Sequence, residues 1–271
     1  MISIYEDILK RIESALADAR LIFNRFTPGA SDAEFKAGHD PVTEADRAID
    51  AVLRQNLLRA GEGWLSEESV DDFSRLQHQR VWVVDPLDGT REFVKGIPEF
   101  CVSIGYVENG RPVAGGIHNP ATNETFIGSI DSGIFYNGNP ASCSQRATLP
   151  GAVTLASRSE VKRGEWKAFE NGPLQIRALG SVAYKLALVA AGLADITFTL
   201  TPKNEWDVAA GAALVLSGGG SVATLDNADF CANNKNPLLS GLIACGPHLR
   251  GELLSLLEPH LRRETHTSAQ S

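Results

Sequence analysis

Apolar residues recur at Ile4, Ile8, Leu9, Ile12, Leu16 and Ala19, the spacing of one helix face, and Pro28-Gly29 closes the segment. The pattern predicts an amphipathic first helix. A second helix is predicted from Thr43, a capping residue with an acid, Asp46, three positions on, ahead of a stripe through Ile49, Val52, Leu53 and Leu57. The period then changes. Trp64-Leu65 forms a short apolar segment, and Val81-Trp82-Val83-Val84 is a β-branched run that Pro86 is expected to stop. Phe100 to Val107 and Arg111 to His118 read as a hairpin around Glu108-Asn109-Gly110, followed by short strands near Thr125 to Gly128 and Gly133 to Tyr136. Together they predict an antiparallel sheet.

The segment Gln145 to Val153, containing Pro150-Gly151, is the candidate boundary between an N-terminal α+β lobe, 1–148, and a C-terminal α/β lobe, 149–271. Beyond it, strands near Val153 to Ala156 and Ile196 to Leu200 alternate with helices near Val182 to Ala191 and Trp206 to Leu216. Leu239 to Cys245 reads as a last strand and Leu249 to Leu257 as a closing helix. The polar stretch Arg262 to Ser271 is expected to fray and is assigned no function. Gly218-Gly219-Gly220 lacks the spacing of a phosphate loop.

Composition narrows the function classes. With 43% hydrophobic residues in 271, the chain can bury one large core or two lobes around a shared cleft. A net charge of −8 argues against a nucleic-acid polymer as partner and leaves a small phosphorylated metabolite as the expected one. Cys101, Cys143, Cys231 and Cys245 form no Cys-x-x-Cys pair and the histidines no His-x-x-x-His pair, so neither zinc nor a disulfide framework is expected. Glu6 and Asp7 interrupt the start of the chain and no long apolar run follows. Neither a signal peptide nor a membrane span is expected, and a cytoplasmic location is.

The densest chemistry is Asp85-Pro86-Leu87-Asp88-Gly89-Thr90, two carboxylates and a hydroxyl at a strand end, where active sites of α/β proteins gather. Two close carboxylates repel, and one takes up a proton unless a cation neutralises the pair. Hard oxygen ligands on a short turn favour magnesium. The plainer alternative is that Asp-Pro and Asp-Gly are ordinary turn formers. Further acids weigh against it: Glu67, followed by Glu68, after Trp64-Leu65, and Asp207 in the first turn of the helix predicted from Trp206, where an acid also suits the helix dipole. A haloacid-dehalogenase phosphatase also places two aspartates after a strand, but two apart so that they project together, whereas Asp85 and Asp88 are three apart. A regulatory or binding protein that has kept the fold without catalysis is the alternative of another class.

Four ordered motifs, Pro41-Val42-Thr43-Glu44-Ala45-Asp46, Glu67-Glu68-Ser69, Trp82 to Thr90 and Trp206-Asp207-Val208-Ala209-Ala210-Gly211, resemble those of the inositol monophosphatase superfamily of magnesium-dependent, lithium-sensitive phosphomonoesterases. The resemblance runs from about Lys36 to about Gly220. It implies the layered α-β-α-β-α sandwich of the sugar and inositol phosphatases, an α/β (α+β) class, with Asp207 reaching across from the second lobe. It further implies two or three Mg2+ ions per site: Glu67, Asp85 and the Leu87 carbonyl hold one, Asp85, Asp88 and Asp207 a second, and Glu67 with water a weaker third. In that scheme Thr90 orients the attacking water, and Asp46, or alternatively Glu67, accepts its proton. Amides of Gly89 and Thr90 cradle phosphate oxygens if a short helix starts there. Homodimers recur among such relatives, although no residue by itself shows an interface.

The substrate branch is read from smaller differences. Asp88-Gly89-Thr90-Arg91-Glu92-Phe93 resembles the 3'(2'),5'-bisphosphate nucleotidase branch, which converts adenosine 3',5'-bisphosphate to AMP and phosphate, more than the Asp-Gly-Thr-Thr-Asn-Phe of the inositol branch. The acid that grips inositol hydroxyls falls near Leu200, an apolar residue. Ser157-Arg158-Ser159 and Gly180-Ser181, opening a helix that carries Lys185, match the nucleotidase pattern. Ser181 is then a substrate contact, and Lys185 meets a second phosphate or stands on a solvated helix face. Arg91 and Lys95 add positive potential or cap a surface, and Lys36 and His39 in a polar loop with Gly38 guide phosphate or are solvated. The stretch Pro41 to Asp46 also resembles histidinol-phosphate phosphatases, so that substrate stays open beside inositol 1-phosphate.

Overall fold

The computed structural model describes the backbone of residues 4–30, 34–35 and 41–267 and the side chains of residues 4–30 and 43–261. Lys36, Gly38 and His39 lie outside the described residues, as do residues 268–271 of the predicted tail. Helix α1 (Glu6–Phe23) buries Ile8, Ile12, Leu16 and Ala19 of the predicted stripe and half-buries Leu9, whereas Ile4 precedes the helix and is exposed; α2 (Glu44–Leu57) buries Ile49, Leu53 and Leu57 and half-buries Val52. Thr43 caps α2 and its backbone N–H donates to Asp46 Oδ2 at 2.7 Å.

Seven strands follow one another across a sheet in chain order: β1 (Gly63–Ser66), β2 (Arg80–Asp88), β3 (Cys101–Glu108), β4 (Arg111–Asn119), β5 (Glu124–Ser129), β6 (Gly133–Tyr136) and β7 (Asn139–Ala141). Only β1 and β2 pair in parallel; the other neighbours are antiparallel. Asn109 and Gly110 both take positive φ, 51° and 79°, as the two-residue hairpin turn between β3 and β4 requires. Helix α3 (Thr90–Val94) is a single short turn after β2.

The second half builds β8 (Ala152–Ser157), α4 (Arg158–Arg163), β9 (Leu174–Leu179), α5 (Val182–Ala190), β10 (Ile196–Thr199), α6 (Glu205–Ser217), β11 (Ser221–Ala223), β12 (Leu242–Cys245) and α7 (Arg250–Thr267). These five strands form a sheet in the order β9-β8-β10-β12-β11. Its edge strands β9 and β11 escaped the sequence reading because β9 is largely exposed and β11 is only three residues long. The predicted strand from Leu239 splits into a two-residue piece, Leu238–Leu239, and β12. The closing helix runs past Leu257 through Pro259 to Thr267, into the stretch expected to fray.

Alternation along the central strands sorts side chains into separate layers. Trp82, Val84, Ile104 and Tyr106 face α1 and α2, whereas Val81, Val83, Ile117 and Phe126 face α5 and α6. The opposite side of that helix pair meets Leu155, Leu242 and Ala244 of the smaller sheet, whose outer face packs Ile196, Phe198, Ile243 and Cys245 against Leu249, Leu253 and Leu257. The order is helix, sheet, helix, sheet, helix, the predicted layered sandwich. Helix α6 lies unusually close to the large sheet: a Cβ added at Gly105 would stand 2.8 Å from Ala210 N, and one at Gly115 2.7 Å from Ala210 O. That close approach sets how far the first turn of α6 reaches toward β2. Among the described residues no helix is long and apolar enough to cross a membrane.

Candidate active site

Strand β2 does not stop at Pro86. It continues to Asp88 through a register shift in which Asp85 pairs with Ser103 and Asp88 with Cys101, so that Pro86 and Leu87 on one strand stand against Val102 alone on the other. A bulge tolerates a proline because the ladder is already interrupted there, and it re-aims side chains. Asp85 and Asp88 therefore reach the same cleft in spite of their three-residue spacing. The Asp85 carboxylate accepts the Leu87 N–H at 2.9 Å. Gly89 then turns with φ 96°, and a Cβ there would meet Glu99 O at 2.8 Å, so the turn into α3 needs glycine.

Glu67 follows β1, which runs parallel to β2, so the two strand ends lie side by side. The neighbours of Glu67 are tethered: Ser66 and Ser69 donate to the two carboxylate oxygens of Asp50 on α2, at 2.5 and 2.9 Å. Asp207 comes from the first turn of α6, where it accepts the Asn204 N–H at 3.0 Å. The capping reading of Asp207 is thus satisfied, and capping leaves the side chain free to join the other acids. One carboxylate oxygen each of Glu67, Asp85 and Asp207 lies within 4.8 Å of the other two. Asp88 stands beside this triad with its Oδ2 accepting Ser181 Oγ and the Ala183 N–H, both at 2.6 Å.

These acids disturb one another. Burial holds the Asp85 carboxyl well above the usual range, and the charges of Glu67, Asp88 and Asp207 push it further. Burial likewise raises Asp207 well up, reinforced by Asp88 and Glu67. Asp88 is raised by burial, against which the Ser181 and Ala183 hydrogen bonds act. Clustered oxygen donors, buried at Asp85 and half-buried at Glu67 and Asp207, either hold protons or hold a hard cation. The donor set fits a divalent metal such as magnesium, with Glu67, Asp85 and Asp207 as its core.

Asp46 lies beneath the cleft floor. Its Oδ2 accepts the Thr43 N–H and the Thr43 hydroxyl at 2.7 and 2.5 Å, capping α2, while its Oδ1 lies 3.2 Å from Thr90 Oγ1. The Thr90 hydroxyl also lies 2.9 Å from the Leu87 carbonyl, so its one proton has two acceptors. Burial raises the Asp46 carboxyl, opposed by the hydrogen bonds from Thr43. Both readings of Asp46, cap and proton acceptor, are compatible with one carboxylate using its two oxygens differently.

A cleft of about 420 Å³ opens above these groups, bordered by Glu67, Asp85, Leu87, Asp88, Gly89 and Thr90 on one side and by Gly180, Ser181, Lys185 and Asp207 on the other. The predicted metal ligands and the predicted substrate contacts Gly180, Ser181 and Lys185 thus line it. Ser181 caps α5 in a strained conformation, φ 55°, with its hydroxyl accepting the Tyr184 N–H. Lys185 is not a solvated surface lysine: it is buried, donates to Ser181 O at 2.7 Å, and has its pKa lowered by burial. Arg91 borders the cleft and Lys95 does not. Ser157 and Ser159 also border it, whereas Arg158 turns aside to Glu99, whose Oε2 accepts the Arg158 Nε–H at 3.0 Å and the Gly180 N–H at 2.6 Å. Leu200 packs on the outer apolar layer instead of the cleft.

Several residues in and under the cleft were not singled out from sequence. Arg163 and Lys203 line it, the latter donating to the buried Glu160 at 2.9 Å. Asp50 and Glu99 hold it together from below. A lone charged residue, on a helix or between elements, carries no spacing signal, so only its fold neighbours reveal it.

Comparison with known proteins agrees with this geometry. The model of the Inositol monophosphatase family matches residues 6–262. A Thermotoga maritima protein described as fructose-1,6-bisphosphatase/inositol-1-monophosphatase is 36% identical over 208 residues, covering 75% of this chain and 79% of that protein. The solved IMPase structure from Thermotoga maritima superposes with a TM-score of 0.82 at 29% identity, covering 95% of this chain and 99% of that one. The structure of CysQ from Bacteroides thetaiotaomicron, described as a bacterial member of the inositol monophosphatase family, gives 0.73 at 27% identity, covering 90% and 98%.

Proposed function

Because this chain belongs to the inositol monophosphatase family of metal-dependent phosphomonoesterases, we propose that it hydrolyses a small phosphorylated metabolite in the cleft above β2, with a 3'(2'),5'-bisphosphate nucleotide as the lead substrate. The observation that carries the reaction type is the convergence of Glu67, Asp85 and Asp207 beside the Asp46–Thr90 pair. Magnesium held by the acid triad would supply the positive charge that a phosphate dianion needs there and would acidify a water molecule. Asp88 is the further ligand that the family resemblance implies.

The chain's own groups divide the remaining work. Thr90 Oγ1 can accept a hydrogen bond from water while its proton points to Asp46 Oδ1, which aligns the water and offers a route for its proton. Burial makes Asp46 a stronger base than an exposed aspartate, and Thr43 fixes its other oxygen. Thr90→Ala should lower kcat by roughly 10²-fold and leave KM within a few-fold, since the hydroxyl acts on water and not on substrate. Steady-state kinetics at saturating magnesium checks this, and an equal loss in KM alone contradicts it.

Support for a doubly phosphorylated substrate comes from Arg91, Arg163 and Lys203 in the cleft lining, the last two paired with Glu165 and Glu160, and from the apolar Leu200 turned away from it. The name of the Thermotoga relative favours inositol 1-phosphate as the second reading. Specificity constants for adenosine 3',5'-bisphosphate, inositol 1-phosphate and histidinol phosphate, measured with magnesium and then with added lithium, separate these readings. The bisphosphate is expected to lead by about tenfold or more, worth about 1.4 kcal/mol of transition-state binding. A preference for the inositol ester would overturn the lead substrate and leave the phosphatase assignment standing.

A further inference from the structure

Arg75 is wholly buried, in a 3-10 turn that lines neither the cleft nor a main apolar layer. Buried guanidinium groups are rare and persist where several acceptors hold them. Here Nε and Nη2 donate to Asp71 Oδ2 at 3.0 and 2.8 Å, Nη1 to Asn233 Oδ1 at 2.8 Å, and Nη2 also to Asn234 O at 2.9 Å. Asn233 returns its side-chain amide to Arg75 O at 3.3 Å. On its far side the 233–234 loop turns to Glu205, also wholly buried. Glu205 Oε2 accepts the Asn233 N–H at 2.6 Å, and Oε1 accepts the Asn234 N–H and Nδ2 at 2.9 and 2.7 Å.

The two ends of this chain of bonds are informative. Asp71 lies four residues after Glu67, and Glu205 lies two residues before Asp207 at the start of α6. The network therefore spans the gap between two carboxylates that meet at the acid triad but come from distant parts of the sequence. Backbone strain marks the junction from both sides, with Phe73 at φ 63° and Asn233 at φ 64°; for a bulky residue such as Phe73 that conformation needs outside support. Neither Arg75 nor Glu205 lines the cleft, so substrate contact does not explain them.

We propose that Arg75, Asn233, Asn234 and Glu205 form a positioning relay that fixes the separation of Glu67 and Asp207 and so sets the affinity of the acid triad for its divalent cation. The proposal rests on the cation-binding reading above. Groups hydrogen-bonded directly to metal ligands change metal affinity about 10- to 100-fold when removed, and a brace acting through the backbone is expected at the lower end of that range. A relay of fixed length makes that cost specific to cation binding, because the cleft walls from β2 and α5 remain in place.

The test uses Arg75→Met and Glu205→Gln in the full-length protein, with Leu253→Ala in the outer layer as a variant destabilised away from the site. Magnesium binding is measured by calorimetry and by the magnesium-induced rise in melting temperature, alongside kcat at saturating magnesium. Both relay variants should weaken magnesium binding roughly tenfold or more, lose most of the thermal shift, and recover kcat to within a few-fold when magnesium is raised. Leu253→Ala should melt lower yet keep wild-type magnesium affinity. If Arg75→Met does not fold, Glu205→Gln, which preserves shape, decides. Wild-type magnesium affinity in the folded relay variants overturns the relay alone, as does an affinity loss in Leu253→Ala equal to theirs. Absence of magnesium binding by the wild-type protein overturns the cation reading together with the relay.

Discussion

Asp85→Asn is expected to reduce kcat/KM by roughly 10³-fold or more, about 4 kcal/mol of transition-state stabilisation, while the protein folds and, without metal, melts no lower than wild type. The loss follows from removing the most buried charge of the triad, to which Glu67, Asp88 and Asp207 are all coupled. The stability outcome follows from the same coupling. Asparagine keeps the shape and the acceptor that meets the Leu87 N–H, and it removes a carboxylate that burial and three like charges disfavour. Asp207→Asn should behave similarly in rate.

A pH dependence with the opposite sign to an ordinary salt-bridged aspartate follows. Asp85, Asp207 and Asp88 have folded-state pKa values raised above their unfolded ones, so in that interval the folded chain binds more protons than the unfolded chain. Stability then falls as pH rises from the unfolded pKa through the folded one. The metal-free wild type should melt higher at about pH 5 than at about pH 8, magnesium should raise the melting temperature most at the upper pH, and Asp85→Asn should flatten both trends. Thermal scans across pH with and without magnesium read this directly. A magnesium-induced shift that survives undiminished in Asp85→Asn would sink the metal assignment.

Gly105→Ala is the second large effect expected, although the residue touches no substrate. Its new Cβ would lie 2.8 Å from Ala210 N and 3.0 Å from Ala209 C, both backbone atoms, so α6 itself must move. Overpacking of this kind costs about 1–3 kcal/mol, or a few degrees in melting temperature for a chain of this size. Because Asp207 rides on the first turn of α6, magnesium affinity should fall with it. Gly115→Ala presses on the same helix residue through Ala210 O. One displacement of α6 relieves both clashes, so the double variant should be destabilised by less than the sum of the single ones. Strict additivity, or a magnesium affinity that does not change, would show that α6 yields without carrying Asp207.

Much of this molecule is legible residue by residue. The helices α1 and α2 follow from a stripe and a cap, the β3–β4 hairpin from Asn109-Gly110, and α5 and α6 from apolar segments of helical length. Prediction failed where local signals are short or contradictory. Pro86 looks like a strand terminator, yet β2 runs through it because a bulge has no ladder bond to lose there. For Lys185 the sequence left two readings open, a second-phosphate contact or a solvated helix face, and only the fold, which buries it beside the cleft, removes the second.

The amino-acid sequence alone determined which acids and hydroxyls are available, Glu67, Asp85, Asp88, Thr90, Asp46 and Asp207, because type and spacing along the chain are local properties. Tertiary structure alone decided that Glu67, Asp85 and Asp207 share a corner within 4.8 Å, that Asp88 is also held by the cap of α5, and that Arg75 and Glu205 meet on the 233–234 loop. The physical reason is range. Helical and strand periodicity act over a few residues, whereas carboxylates more than a hundred positions apart meet only through packing, of which the close approach of α6 to Gly105 and Gly115 is one part.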